Sequence, residues 1–149
     1  MFSNPTIIVV CGWPASGKTT LARQLAADLD LRIIDSDEIR LLALGPVDPN
    51  WETSEEGRRQ NRREFGLVYD VIHRIAAGHA MLGRSVIITA PYTSAASWQY
   101  LQEAVKEYPE TKIRVIWCSP ENPSREEIER RLQVRLTACL LYTSDAADE

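Results

Sequence analysis

The strongest constraint on the fold of this chain is an eight-residue segment near the N-terminus, Gly12-Trp13-Pro14-Ala15-Ser16-Gly17-Lys18-Thr19. It matches the pattern G-x-x-x-x-G-K-[ST], in which two glycines permit a tight turn and backbone N–H groups surround a polyphosphate. The apolar run 6–11 predicts a buried strand before the loop, and residues 17–29 predict a helix after it. A glycine-rich turn that binds no ligand would not require a buried strand before it and a helix after it. The motif therefore predicts a nucleoside triphosphate site.

The motif also assigns roles to its polar residues. Lys18 is expected to reach the β- and γ-phosphates, and the Thr19 hydroxyl is expected to bind Mg²⁺. The N-terminus of the following helix attracts the same negative charge. The predicted nucleotide-binding residues are Gly12, Ala15, Ser16, Gly17, Lys18, Thr19 and Thr20.

Strand and helix patterns alternate along the chain, which favours a three-layer α/β/α fold with a mainly parallel sheet. At 149 residues the chain is long enough for one such domain. Predicted strands cover 6–11, 31–35, 85–89 and 112–118. Predicted helices cover 17–29, 37–44, 54–82 and about 94–108, and a last helix begins at Ser124 with a capping box to Glu127.

Two aspartates and an arginine stand at the end of the second predicted strand, in the segment Asp35-Ser36-Asp37-Glu38-Ile39-Arg40. Ligands of such folds bind at the carboxyl ends of the strands, so these side chains should face the phosphate loop. A carboxylate there can accept the proton of an attacking hydroxyl, and a guanidinium can hold a phosphate or developing charge. Alternatively, Asp37 is only the N-cap of the helix that follows.

The phosphate loop, the D-x-D-x-x-R segment at 35–40 and the R-x-x-x-R pair of Arg131 and Arg135 together resemble the small P-loop kinases over residues 5–138. This group (AAA_33) includes polynucleotide 5′-kinase domains, zeta toxins and chloramphenicol phosphotransferase. The resemblance implies a kinase that uses ATP and Mg²⁺ and transfers the γ-phosphoryl group to a hydroxyl of a small molecule or of a nucleotide or nucleic-acid end. Such folds commonly have five strands, so we expect this chain to lack its last strand.

The resemblance implies catalytic roles position by position. Lys18 neutralises phosphate charge, Asp37 takes the place of the catalytic base, and Arg40 takes that of a substrate- or phosphate-binding arginine. Arg131 and Arg135 would be lid arginines that close over the phosphates. The alternative for this pair is a solvated helix face that is neutralised by neighbouring glutamates.

The metal site departs from the family pattern. Related kinases often end the third strand with an aspartate that holds the waters of Mg²⁺, whereas this chain has Thr89. Asp35 is expected to lie near the metal, so that Thr19 and Asp35 form the predicted metal set. The substitution keeps two other functions open: a nucleotide-dependent regulatory module with little phosphotransfer, and an ATPase.

The acceptor is not identified by any signature in residues 45–63. The basic run 58–63 either grips an anionic substrate such as a nucleic-acid end or is the exposed face of a long helix. Trp51 and Tyr92, in loops near the ligand side, either stack on a substrate or pack inside the protein. The sequence alone therefore leaves a small molecule, a nucleotide and a nucleic acid as possible acceptors, and it says nothing about the oligomeric state.

Composition and the C-terminal segment limit the remaining possibilities. Residues 139–149 resemble, in one reading frame, the translation of a transposon-end adapter from sequencing libraries, so the predicted domain is 1–138 and the rest a non-native tail. That segment holds three acidic residues and no basic one, hence most of the net charge of −4. Three widely spaced cysteines favour a reducing cytoplasm. No apolar run is long enough to span a membrane.

Overall fold

The computed structural model describes residues 2–119 together with residues 126 and 130. The strands are β1 (Thr6–Gly12), β2 (Ile33–Asp35), β3 (Val86–Thr89) and β4 (Lys112–Cys118). Within residues 2–119 the helices are α1 (Lys18–Leu29), α2 (Ser36–Leu44), α3 (Glu55–Met81) and α4 (Ala95–Val105), and a 3₁₀ turn lies at Trp51–Thr53. The four predicted strands and the first four predicted helices are therefore present. Of the predicted helix from Ser124, residues 126 and 130 are described and are helical. The rest of that helix, any fifth strand and the tail at 139–149 lie outside the described residues.

The sheet has the strand order β2-β3-β1-β4, and every pairing in it is parallel. All seven residues of β1 are buried, because this central strand has a neighbour on each side and helices on both faces. On one face, Ile7 and Val9 pack with side chains of α3 and α4. On the other face, Ile8 and Val10 pack with side chains of α1. The predicted three-layer α/β/α architecture is confirmed.

The longest element, α3, spans about 40 Å at the ordinary helical rise per residue. It carries the chain from the segment after α2 to the start of β3. Its N-cap is Ser54, whose hydroxyl accepts a hydrogen bond from the Gly57 N–H at 2.9 Å. Val68 and Ile72 are buried in the apolar core between α3 and the sheet. The apolar stripe in the sequence therefore predicts both the helix and its buried face.

The carboxyl ends of three strands meet at one edge of the sheet. Thr89 lies in register with Asp35 of β2 on one side and with Val10 of β1 on the other. The phosphate loop, the start of α2 and the chain after β3 consequently leave the sheet side by side. This is the edge at which ligands bind to parallel α/β sheets.

Within the residues that the structure describes, none of the helices is both long and apolar enough to cross a membrane.

Candidate functional site

The phosphate loop between β1 and α1 adopts the conformation that its sequence predicts. Ala15 and Gly17 have positive φ values of 58° and 90°, and the N–H of Ser16 donates to the Trp13 carbonyl at 3.3 Å. Left-handed residues in a tight turn direct backbone N–H groups into one concavity, where they bind anions. Lys18 and Thr19 open α1 directly after it. The loop therefore presents both N–H groups and a helix N-terminus to a polyphosphate.

Gly12 is required by a close contact between the loop and β4. A Cβ atom at this position would lie 2.2 Å from the Cys118 carbonyl oxygen and 3.2 Å from the Ser16 hydroxyl. The φ of Gly12 is also 145°, which side chains other than that of glycine rarely adopt. The first glycine of the motif thus holds the loop against the end of the neighbouring strand.

Two polar side chains of the loop fit a bound phosphate. The Lys18 side chain is buried and its ammonium donates to the Trp13 carbonyl at 2.8 Å, so the charge is held at the loop. The buried Ser16 hydroxyl has no hydrogen-bond partner among the residues that the structure describes. A buried hydroxyl without a partner is costly unless a ligand or water satisfies it. The loop therefore fits a phosphate chain on an observation independent of its sequence pattern.

Both predicted protein ligands of Mg²⁺, Thr19 and Asp35, lie at this edge of the sheet. Two protein ligands fit a metal that is held mainly by phosphates and waters. Thr19 is the second residue of α1. Asp35 ends β2, and its Oδ1 accepts from the N–H of Asp37 at 2.9 Å and from that of Glu38 at 3.4 Å. Within the described residues, no group of three or more acidic, histidine or cysteine side chains forms a metal cluster. Thr89, beside Asp35, is buried and uncharged.

Asp35 and not Asp37 is the N-cap of α2, which begins one residue earlier than predicted. The strand ends at Asp35 in an extended conformation, so its carboxylate reaches back over the first turn of the helix. Asp37 is exposed in that first turn. The capping interpretation of Asp37 is therefore wrong, and its carboxylate stands at the ligand edge.

Arg40, predicted to bind substrate or phosphate, links α2 to α3 in this structure. Its side chain is buried, Nη1 donates to the Gly45 carbonyl at 2.7 Å, and Nη2 forms an ion pair with Glu64. The other oxygen of Glu64 accepts from the Gln60 amide at 3.0 Å. The charge of Arg40 is thus balanced inside the protein.

The remaining predicted groups separate into three sets. Arg131 and Arg135 lie outside the described residues. The arginines of 58–63 are on the exposed side of α3, where Arg59 pairs with Glu55 at 3.6 Å. Trp51 is half-buried beside α3, whereas Tyr92 is only 2% exposed and packs inside the protein.

Tyr92 belongs to a buried aromatic cluster that fixes the chain directly after β3. Its backbone N–H donates to the Tyr69 hydroxyl at 3.0 Å, and its own hydroxyl lies 2.7 Å from Nε2 of His73. The Tyr92 and Trp98 ring centroids are 4.5 Å apart. Tyr92 has a φ of 47°, a conformation that this packing maintains. The cluster thus holds one of the three chain segments at the ligand edge.

We expect the buried His73 to make the stability of the protein depend on pH. Burial lowers the pKa of His73 to about 4, against the smaller opposing effect of Asp70. Between pH 6.5 and 4 the unfolded chain binds a proton at this position that the folded protein does not, so the free energy of unfolding should fall as the pH falls through that window. We expect a loss of up to about 3 kcal/mol from this group.

Urea titrations at pH 7.5 and pH 4.5 would measure this loss. In a His73→Gln variant the difference between the two pH values should shrink by the contribution of this histidine, whereas His79→Gln, at the end of the same helix, serves as the control. An unchanged pH dependence in His73→Gln would show that His73 is not the group responsible.

Sequence reasoning missed two polar residues of α3, the buried Asn61 and the half-buried Glu64. Asn61 is 8% exposed although it stands between arginines on a helix with an exposed basic side. A signal for it was present: Asn61 precedes Phe65, Val68 and Ile72 at helical spacing, so it continues their stripe by one turn. For the pairing of Glu64 with Arg40 the local pattern contains no signal, because the partners are 24 residues apart.

Comparison with known proteins agrees with this geometry. The model of the AAA domain family AAA_33 matches residues 7–139. A crystal structure of a candidate kinase from Chloroflexus aurantiacus J-10-fl superposes with a TM-score of 0.72 at 23% identity, covering 93% of this chain and 70% of that one. No curated protein sequence gives a significant match.

Two further structures share the fold at lower similarity. A sugar kinase from Janibacter sp. HTCC2649 has a TM-score of 0.54 at 20% identity, covering 87% of this chain and 66% of that one. A chain of the Pnkp1/Rnl/Hen1 RNA repair complex has a TM-score of 0.56 at 18% identity, covering 98% of this chain and 47% of that one. With the family model matching most of its length and its parallel sheet carrying a formed phosphate loop, this chain belongs to the AAA domain family AAA_33 and has the fold of the P-loop kinases.

Proposed function

We propose that this protein is an ATP-dependent kinase that transfers the γ-phosphoryl group to a hydroxyl of a small molecule or of a nucleotide or nucleic-acid end. The observation that carries the proposal is the sheet edge. There a formed phosphate loop, with the buried Lys18 and the unsatisfied Ser16 hydroxyl, stands beside the carboxylates at the start of α2. The loop is suited to hold a donor, and the carboxylates are suited to receive a proton.

In this mechanism the protein contributes positioning and charge neutralisation. The loop N–H groups and Lys18 hold the β- and γ-phosphates. Thr19 and Asp35 would hold Mg²⁺, which would supply further neutralisation of phosphate charge. The acceptor oxygen forms a bond to the γ-phosphorus while the bond to the β–γ bridging oxygen breaks, and ADP leaves. Asp37 accepts the proton of the attacking hydroxyl.

Arg131 and Arg135 complete the proposal as lid arginines. Guanidinium groups that close over a transferring phosphoryl group stabilise its charge and exclude water. Because water is the competing acceptor in any kinase site, the lid would also limit ATP hydrolysis.

A nucleotide-dependent regulatory module is the second candidate, and Thr89 favours it. This residue ends β3 between Asp35 and Val10 but carries no charge. Its hydroxyl can hydrogen-bond to a metal-bound water without adding electrostatic attraction. Nucleotide binding through the loop does not depend on this position, so binding would persist if transfer were slow.

Incubation with ATP labelled at the γ-phosphate separates the candidate functions. The acceptors to be offered are nucleosides, sugars, polyols and oligonucleotides with a 5′-hydroxyl. Label on an acceptor supports the kinase. Label only in free phosphate supports an ATPase, and ATP binding without release of label supports the regulatory module.

Replacement of Asp37 by asparagine should lower phosphoryl transfer about 10²- to 10⁴-fold, because a positioned general base contributes about this much. The dissociation constant for ATP should stay within about twofold, since the substitution leaves the loop intact; a shift of that size is only a few tenths of a kcal/mol. Initial rates of transfer and calorimetric titration with ATP give the two values.

Glu38→Gln is the matched control for Asp37→Asn, because Glu38 is the next exposed acid of the same helix turn. It should keep the transfer rate of the unmodified protein. Full transfer by Asp37→Asn would remove Asp37 from the role of base.

A further inference from the structure

A second concave site lies between the end of α2, the segment that follows it and the first turns of α3. Its volume is about 130 Å³. The residues of interest here are Arg40, Asp48, Trp51, Gln60, Asn61 and Glu64, all of which line it. Pro46 and Val47 add apolar surface to the lining. Room for several water-sized groups and a lining that combines apolar surface with a few polar side chains make it a site for a small molecule with polar groups.

Two buried atoms in this lining have no hydrogen-bond partner within the part of the chain that the structure describes. They are Nε of Arg40 and Oδ1 of Asn61. Both residues are more than nine-tenths buried, at 7% and 8% exposure. Leaving such groups unsatisfied costs about 1–3 kcal/mol each. One is a donor and the other an acceptor, and hydroxyl groups, which both accept and donate, can pair with either kind of atom.

The charges around the cavity disfavour an anion. Arg40 is already paired with Glu64, whose second oxygen accepts from Gln60. Asp48 adds a further carboxylate to the lining. None of the arginines in the basic run 58–63 lines the cavity. A phosphate ester would therefore meet two carboxylates and one neutralised guanidinium.

The cavity is also placed for the proposed reaction. Arg40 follows Asp37 by three residues on α2, so the two are one helical turn apart on the same side of the helix. A molecule anchored at Arg40 and Asn61 can extend a second hydroxyl along this turn towards Asp37. Anchoring and reaction would then use different hydroxyls of one acceptor.

We infer that this cavity binds the acceptor, that the acceptor is an uncharged compound with several hydroxyls such as a sugar or polyol, and that Asn61 and the Arg40–Glu64 pair determine this specificity. The inference rests on the proposed kinase function. It excludes the phosphorylated end of a nucleic acid from the cavity, because the Arg40 charge that would bind it is committed to Glu64.

Direct binding tests the inference. Glycerol, erythritol and glucose are titrated calorimetrically into the full chain with Mg²⁺ and a non-hydrolysable ATP analogue, and so are their phosphate esters and a 5′-hydroxyl oligonucleotide. At least one neutral compound should bind more tightly than its ester. Asn61→Leu, which has a similar volume and no acceptor atom, should weaken this binding about tenfold. Arg62→Ala, on the exposed side of the same helix, should leave it unchanged.

A charge substitution tests the role of the ion pair. Glu64→Gln keeps a hydrogen-bonding side chain for Arg40 but removes the negative charge. The preference for glucose over glucose 6-phosphate should then fall about tenfold or reverse, because Arg40 becomes free to attract the phosphate. An unchanged preference would show that Glu64 does not set the charge selectivity.

The outcomes separate this inference from the proposed function. If the ATP analogue binds but the esters or the oligonucleotide bind better than every neutral compound, the neutral-acceptor inference is overturned and the kinase proposal stands. The inference is equally overturned if Asn61→Leu and Arg62→Ala behave alike. Failure of the ATP analogue itself to bind would overturn the proposed function.

Discussion

Replacement of Lys18 by alanine is expected to abolish detectable ATP binding and phosphoryl transfer together. The Lys18 ammonium is buried against the loop and hydrogen-bonded to the Trp13 carbonyl, so it is already positioned for the phosphates. A hydrogen bond between charged groups contributes about 1.5–3 kcal/mol, and Lys18 is expected to reach two phosphates. An affinity loss of at least about 100-fold follows. Titration with a fluorescent ATP analogue would measure it.

Lys106→Ala is the matched control, because Lys106 is an exposed lysine at the end of α4 that pairs with Glu103 on the surface. Its ATP affinity should equal that of the unmodified protein. Retention of ATP binding within about threefold by Lys18→Ala, a change of well under 1 kcal/mol, would contradict the assignment of the loop as the nucleotide site.

Replacement of Gly12 by alanine should destabilise the protein and distort the nucleotide site in one step. The added Cβ would lie 2.2 Å from the Cys118 carbonyl oxygen, an impossible contact between two backbone segments. Either the loop or the end of β4 must move, and both belong to the same parallel ladder. Overpacking and an unfavourable positive φ each cost about 1–3 kcal/mol, so we expect a loss of at least about 2 kcal/mol in the free energy of unfolding.

Gly83→Ala separates the two causes of that loss. Gly83 also has a positive φ, of 68°, but a Cβ there would meet no atom within 4 Å. This control should show the conformational cost alone, about 1 kcal/mol, with unchanged ATP affinity. Urea denaturation and ATP titration of both variants give the comparison. Equal effects of the two substitutions would refute a role for the contact between Gly12 and Cys118.

Most of the fold follows from patterns that are local in the sequence. Buried parallel strands read as apolar runs, and β1 and β3 are such runs with every residue buried. The apolar stripe of α3 is likewise local, and α3 and α4, which the structure caps with Ser54 and Ser94, pack on one face of the sheet. The phosphate loop is predictable because its chemistry requires both glycines and the lysine at fixed spacing.

The rest of the site depends on contacts between distant residues. A D-x-D pattern does not show which aspartate caps the helix. Asp35 caps α2 because β2 ends at this residue in an extended conformation. A sequence shows Arg40 as a free cation, because its partner Glu64 belongs to another helix. The charge of a pocket is a property of packed elements, so the preference of the cavity for a neutral molecule becomes apparent only in three dimensions.

The parallel pairing of β1 with β3 and β4 determines when the nucleotide site can form during synthesis. β1 is made first, but its partners Val86–Thr89 and Lys112–Cys118 emerge from the ribosome much later. Contacts of such long sequence separation form slowly, and an apolar strand without partners is prone to aggregation. The strand that is synthesised first, β1, is therefore paired on both sides only after β4 has been synthesised. The nascent chain has to keep β1 from aggregating until β4 has been synthesised and the Cys118 carbonyl packs against Gly12.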